Sequence, residues 1–257
     1  MKQPVAIVGV GEIGTVFGAG FLRLGYPVFP VIVGMNLAEE AERAGPVALA
    51  LVAVRVEDLP QALGDLPADW RECVGLVQNE MLPVDWEQEG IAEPTVSAVW
   101  FEKRSGKEPA PYFPSPVFGP RSELMITAWK ANGLEAYPLS SADELLYELV
   151  RKNLYIISKN IAGLTAPGPV GELWRDHRKL FLQVAEEIFQ IQEARAGVRL
   201  PRERLFEQFR SDVEALPTKG TAGGSARGRL MRSLEHADAA GLPVPTLRAV
   251  QASLGDG

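Results

Sequence analysis

One cysteine and two histidines among 257 residues are scarcities that remove whole classes of chemistry. A single thiol, Cys73, forms no internal disulfide. It lies in the apolar run CVGLVQ, where a buried thiol is expected and a reducing, cytoplasmic setting fits. His177 and His236 fall in helical stretches with no third ligand at metal spacing. Neither a metal centre nor a Ser-His-Asp or Cys-His nucleophile is expected. Basic charge is also short: 26 Lys and Arg stand against 33 Asp and Glu, for a net charge of −7, and the cations are scattered. That leaves no electrostatic footprint for nucleic acid or an anionic membrane surface. No apolar run reaches the roughly 18 residues of a membrane span, and a strand-like run follows Met1-Lys2 at once, so neither signal peptide nor membrane anchor is expected.

What is present is apolar sequence, 46 % of the chain, enough to fill one large or two modest cores. Continuous apolar runs recur at Val5–Val10, Pro27–Val33, Val47–Val54 and Cys73–Gln78. Continuity rather than alternation predicts parallel strands buried on both faces. Helical patterns over Ile13–Leu24, Leu37–Ala44 and Asp58–Leu63 separate them, so the spacing predicts a parallel sheet covered by helices. Thr95–Ser105 and Tyr112–Phe118 read as further strands of the same sheet, with GKEPAP between them excluding a helix.

From about Ser140 the period changes to that of helices, with Ser141 and Glu144 placed as a capping box. Helical patterns continue over Val170–Gly197, Pro201–Leu216 and Arg229–Gly241, followed by a tail. The glycine-rich TKGTAGGSARGR reads as an interhelix loop, the alternative being that its Lys219, Arg227 and Arg229 grip an anionic substrate or a cofactor phosphate. Two domains are expected: an α/β, dinucleotide-binding domain over residues 1–139 and an all-α substrate domain over residues 140–257.

The stretch PVAIVGVGEIGTVFGAG places Gly9, Gly11 and Gly14 between the first strand and the first helix. In a strand-turn-helix unit the first glycine permits the turn, the second lets a pyrophosphate approach the backbone, and the third lets helix pack on strand. The helix opening at Glu12 and Ile13 would aim its N–H groups at the phosphates. The alternative is a turn whose glycines serve packing only. About 20 residues on, an acid would bind the NAD 2′-hydroxyl and an Arg would accommodate the NADP 2′-phosphate. The second strand here ends VIVGMN, with neither. Asn36 can hydrogen-bond a ribose hydroxyl, and Arg43 and Arg55 are the nearest cations in sequence.

Four stretches together resemble the ketopantoate (2-dehydropantoate) reductase family of the 6-phosphogluconate dehydrogenase-like superfamily. They are IVGVGEIG, LVAVRVEDLPQAL, LVQNEM and YELVRKNLYIISKNIAGLTAPGPVGEL. The resemblance implies a Rossmann-type sheet domain joined to a helical domain, NADPH as cofactor with NADH left open, and reduction of a small 2-oxo acid in a cleft between the domains. It implies that Arg55 stands where the family usually has a cofactor-binding Lys, and that Asn79 lies beside nicotinamide and substrate. Lys152 falls on the catalytic lysine, Asn160 on a substrate-site asparagine, and Ser211 on a substrate-site serine. A homodimer is the partner the resemblance suggests.

The chain also departs from the family pattern. Glu80 replaces a glycine, Ile156 replaces an asparagine, and Lys219 replaces a glutamate that contacts the hydroxyl-bearing substrate. A cation at Lys219 argues for an oxo acid other than ketopantoate. Two alternatives follow: a cofactor-binding homologue without reductase activity, or a different dehydrogenase of β-hydroxyacid or imine type.

Overall fold

Val5–Val8 forms β1, four apolar residues buried on both faces, and the rest of the first unit is arranged around it. The computed structural model describes residues 2–103, 106–221 and 223–255. The chain divides into two units, Met1–Glu148 and Leu149–Gly257.

In the first unit α1 (Glu12–Arg23), β2 (Val28–Val31), α2 (Leu37–Ala44) and β3 (Leu49–Val52) follow β1. A 3-10 turn over Val56–Asp58 leads into α3 (Leu59–Gly64), α4 (Ala68–Arg71), β4 (Val74–Leu76), α5 (Pro83–Glu87) and β5 (Thr95–Ser97). Then come β6 (Phe101–Glu102), β7 (Ala110–Pro111), β8 (Ser115–Phe118), α6 (Ser122–Ala131) and β9 (Ala136–Pro138). Seven strands form one sheet in the order β2-β1-β3-β4-β5-β8-β9. Every pairing in it is parallel except β5 with β8. The chain winds to one side of β1 through β2 and to the other through β3, so the switch point lies between β1 and β3. Ligands of open α/β sheets bind beyond the carboxyl ends of the strands at such a point.

Two expected strands are corrected. Pro27–Val33, expected to be buried on both faces, is the edge strand β2, of which Val31 alone is buried, and Ile32 and Val33 beyond it are exposed. Thr95–Ser105 is not continuous: β5 ends at Ser97, and β6 leaves the main sheet to pair with β7 in a two-stranded sheet. The break is fixed by Trp100, which is buried, donates its backbone N–H to Ser115 Oγ at 2.9 Å, and packs its ring on Phe113 with centroids 5.2 Å apart. The last two residues of that expected strand, Arg104 and Ser105, lie outside the described residues.

Helix α6, which the sequence reading did not pick out, covers the sheet beside α1. Phe17 and Trp129 meet with ring centroids 4.0 Å apart, and Asn132 Nδ2 donates to the Val16 carbonyl at 2.6 Å. A Cβ at Gly20 would collide with the Ala128 carbonyl, so this glycine permits the close approach of the two helices.

The second unit is helical among its described residues. Its elements are α7 (Ala142–Thr165), whose first turns belong to the first unit, then α8 (Val170–Asp176), α9 (Arg178–Ala196), α10 (Arg202–Ala215), α11 (Ala226–Ala239) and α12 (Pro245–Ser253). The cap of α7 is a variant of the expected box: Ser141 Oγ accepts the Glu144 N–H at 3.2 Å, while the Glu144 carboxylate accepts from Ser140 at 2.7 Å. The single helix expected over Val170–Gly197 breaks at His177, whose φ of −125° and ψ of 27° are not helical. The tail contains α12, capped by the Glu187 carboxylate, which accepts the N–H groups of Thr246 at 2.7 Å and Leu247 at 2.9 Å. Trp174, Phe181 and Phe209 knit α8, α9 and α10 together, the two phenylalanine rings lying 5.0 Å apart.

Candidate functional site

Leaving β1, the backbone turns at Gly9 with φ +94°, a conformation that side chains disfavour. A Cβ there would also stand 2.9 Å from the Ala53 carbonyl group beyond β3. The turn is therefore pressed against the switch point. At position 14 a Cβ would collide with the Gly9 carbonyl oxygen, so that glycine seats α1 on the turn. Gly11 is different: nothing lies within 4 Å of where its Cβ would be. It caps α1 without a side-chain hydrogen bond, and Glu12 and Ile13 open the helix behind it. Two of the three glycines are accounted for by packing. The one that would face a pyrophosphate is not, and the uncapped helix start beside it suits an anion. The residues present thus fit a dinucleotide.

At the carboxyl end of β4, Gln78 is buried and its amide donates to the Val52 carbonyl at 2.8 Å, tying β4 to β3. Asn79, the next residue, is exposed. Glu80 is buried with φ +69°, one of two non-glycine residues with positive φ among the described residues. The left-handed backbone explains why glycine suits that position.

Arg55 follows β3 but is already engaged, 3.2 Å from Asp58 and 3.5 Å from Glu57, with its side chain largely exposed. Arg43 is held by Glu40 at 2.7 Å. Asn36 Oδ1 caps α2, accepting from Ala38 at 3.0 Å and Glu39 at 3.3 Å.

In the second unit α7 carries a row of buried polar side chains. Lys152 is 3 % exposed, Asn153 donates to Gln192 Oε1 at 2.9 Å, and Ile156 is buried one turn on. Lys159 Nζ donates to the Gly220 carbonyl at 2.9 Å. Asn160 Nδ2 donates to the Thr221 carbonyl at 2.6 Å, and its Oδ1 accepts from Arg229. Both ends of the Asn160 amide are thus engaged.

Their partners belong to the glycine-rich stretch, whose first part is anchored. Thr221 is fully buried, its Oγ1 exchanges bonds with Gly168 at 2.8 and 3.1 Å, and a Cβ at Gly163 would stand 2.5 Å from it. The Lys219 and Pro217 carbonyls accept from Val170 and Gly171, both at 2.8 Å. Lys219 is therefore fixed at its backbone and half-buried. Ala222, next in the stretch, lies outside the described residues. Ser211 is on the exposed side of α10, beside Asp212, which is buried and held by Arg151 at 2.8 and 2.9 Å.

Lys159 and Thr221 are not visible as site residues in the sequence, whereas Arg229 is one of the cations that the glycine-rich stretch offers to an anion, and here it donates to Asn160. The spacing of Lys152 and Lys159, seven residues apart and so on one helix face, was the available signal. Burial pushes the Cys73 thiol above its ordinary range, so it is a poor nucleophile. Among the described residues no group of three His, Cys, Asp or Glu stands where it could hold a metal ion. Among the described residues no helix is long and apolar enough to cross a membrane.

No protein-family model matches the chain, and no curated protein sequence does. Solved structures do. A ketopantoate reductase from Ralstonia eutropha JMP134 is 19 % identical, with a TM-score of 0.65 over 98 % of this chain and 96 % of that one. A 2-dehydropantoate 2-reductase from Methylococcus capsulatus is 14 % identical, with a TM-score of 0.70 over 98 % and 95 %. A D-mandelate dehydrogenase solved with NADH is 13 % identical, with a TM-score of 0.67 over 98 % and 97 %. The chain thus shares the fold of these ketopantoate reductase structures, a Rossmann-type parallel-sheet domain followed by an all-α domain.

Proposed function

We propose that the protein is an NAD(P)H-dependent reductase of a small 2-oxo acid. The observation that carries this reading is the division of labour among the three glycines: Gly9 and Gly14 are filled by packing, while Gly11 is open beside an uncapped helix start. A turn that served packing alone would have no need of a glycine at position 11. In this reading the N–H groups of Gly11, Glu12 and Ile13 hold the pyrophosphate. The reduced nicotinamide, when bound, supplies the hydride.

The chain's own residues supply the rest. As negative charge develops on the substrate oxygen, the Lys152 ammonium stabilises and protonates it. Burial strengthens that interaction because little water competes. Asn79, exposed just beyond the carboxyl end of β4, orients the carbonyl without titrating. Lys219 pairs with the substrate carboxylate, and Ser211 adds a hydroxyl. Asn160 acts mainly by fixing Thr221, and through it the segment that carries Lys219. The sheet unit is the dinucleotide-binding part and the helical unit the substrate part.

A second reading, cofactor binding without turnover, is favoured by one observation: the Asn160 amide is occupied at both ends and its neighbour Ile156 is apolar. A screen of 2-oxo acids, 3-hydroxy acids and cyclic imines with both reduced cofactors, followed by nicotinamide absorbance, separates the two. Turnover of a 2-oxo acid is expected. Saturable cofactor binding with no turnover across the panel would leave the second reading standing, and turnover of an imine or 3-hydroxy acid alone would change the reaction class.

A further inference from the structure

We infer that the adenosine end of the site is built for an unphosphorylated ribose, so that NADH binds at least tenfold more tightly than NADPH. The inference rests on the cofactor reading above and concerns the residues after β2.

A 2′-phosphate is close to a dianion at neutral pH and needs a cation or free N–H groups to replace its water. The backbone after β2 turns tightly, Met35 donating its N–H to the Ile32 carbonyl at 3.1 Å with Gly34 at φ +91°. That turn presents Ile32, Val33 and Met35, which are 51, 102 and 44 % exposed, and no cation. This apolar shelf suits an adenine face.

The next available anion site would be the start of α2, and it is closed. Asn36 Oδ1 already accepts from Ala38 and Glu39, the N–H groups a phosphate would use. Behind them, Glu39 and Glu40 stand in the first turn and repel an anion. The cation on α2, Arg43, is 2.7 Å from Glu40, and Arg55 is shared between Glu57 and Asp58. Recruiting either guanidinium would bring its paired carboxylate towards the phosphate. A ribose hydroxyl is neutral and meets none of these obstacles.

Calorimetric titration of the full chain with two ligand pairs tests this: NADH against NADPH, and ADP-ribose against its 2′-phosphate. The unphosphorylated member of each pair is expected to bind at least tenfold more tightly. Equal or tighter binding of the phosphorylated members overturns the inference while leaving the cofactor reading intact. Binding of none of the four overturns both. A second arm uses Val33→Arg, a change at a fully exposed side chain. It is expected to raise NADPH affinity at least tenfold. A Val33→Arg protein with no gain for NADPH would place the ribose elsewhere and overturn the assignment of this turn.

Discussion

The carbonyl oxygen of Gly9 occupies the space that a Cβ at Gly14 would need. Turn and helix are therefore fitted to each other before any ligand is considered. Gly14→Ala is expected to force the helix off the turn and destabilise the protein by about 1–3 kcal/mol, as overpacking does. Gly9→Ala adds the strain of a positive φ and should cost at least as much. Denaturant unfolding of the two variants checks this. Wild-type stability in both would mean the turn is softer than its geometry states.

Glu80 stands in a left-handed conformation at the end of β4. Replacing it by glycine removes strain of about 1 kcal/mol. Glu80→Gly is thus expected to raise the midpoint of thermal unfolding by roughly 2–4 °C. A fall in the midpoint would show that the buried carboxylate contributes more than the backbone strain takes away.

Asn160 joins α7 to residues 61 and 69 positions further on. Asn160→Ala leaves the Thr221 carbonyl and the Arg229 guanidinium with one partner fewer in a buried setting. A destabilisation of about 2–4 kcal/mol is expected. If Asn160 instead acts only on substrate, stability will hold while turnover falls.

Lys152→Met keeps the length and apolar stem of the side chain and removes the ammonium. Loss of a general acid lowers turnover by about 10²–10⁴-fold. Cofactor affinity, measured separately by calorimetry, is expected to stay within twofold. Near wild-type turnover in Lys152→Met would remove the residue from the chemistry.

The sheet was legible because β1, β3 and β4 are continuous apolar runs bounded by turn residues, which leaves few alternatives. The first helical segments were legible from their period. Less was visible where a partner far along the chain decides the outcome. Trp100 ends β5 through a bond to Ser115, and nothing local in TVSAVWFE announces that. Helix α6 hides in RSELMITAWKANG because its helical identity is fixed by Phe17 and Gly20 on α1, more than 100 residues earlier. His177 breaks a pattern that reads as one continuous helix.

The candidate site divides in the same way. Gly9, Gly11 and Gly14 follow a local rule, and the turn at Gly9 and the close packing at Gly14 were legible from sequence order alone. Asn160 followed a resemblance, and its hydrogen bonds to Thr221 and Arg229 give it a tethering task that spacing does not reveal. The glycine-rich stretch read as a loop because glycines dominate its composition. Its anchoring comes from buried Thr221 on Gly168 and from the Lys219 and Gly220 carbonyls, which accept from Val170 and Lys159, all partners more than 45 positions away.

The central claim is that a dinucleotide lies across Gly11, and the most direct measurement is NADH titration of wild type beside Gly11→Val. The Cβ of the variant enters open space, so its thermal midpoint is expected to match wild type within about 2 °C. Its NADH affinity is expected to fall by about a hundredfold, near 2.7 kcal/mol. A folded Gly11→Val protein that binds NADH as wild type does would contradict the account.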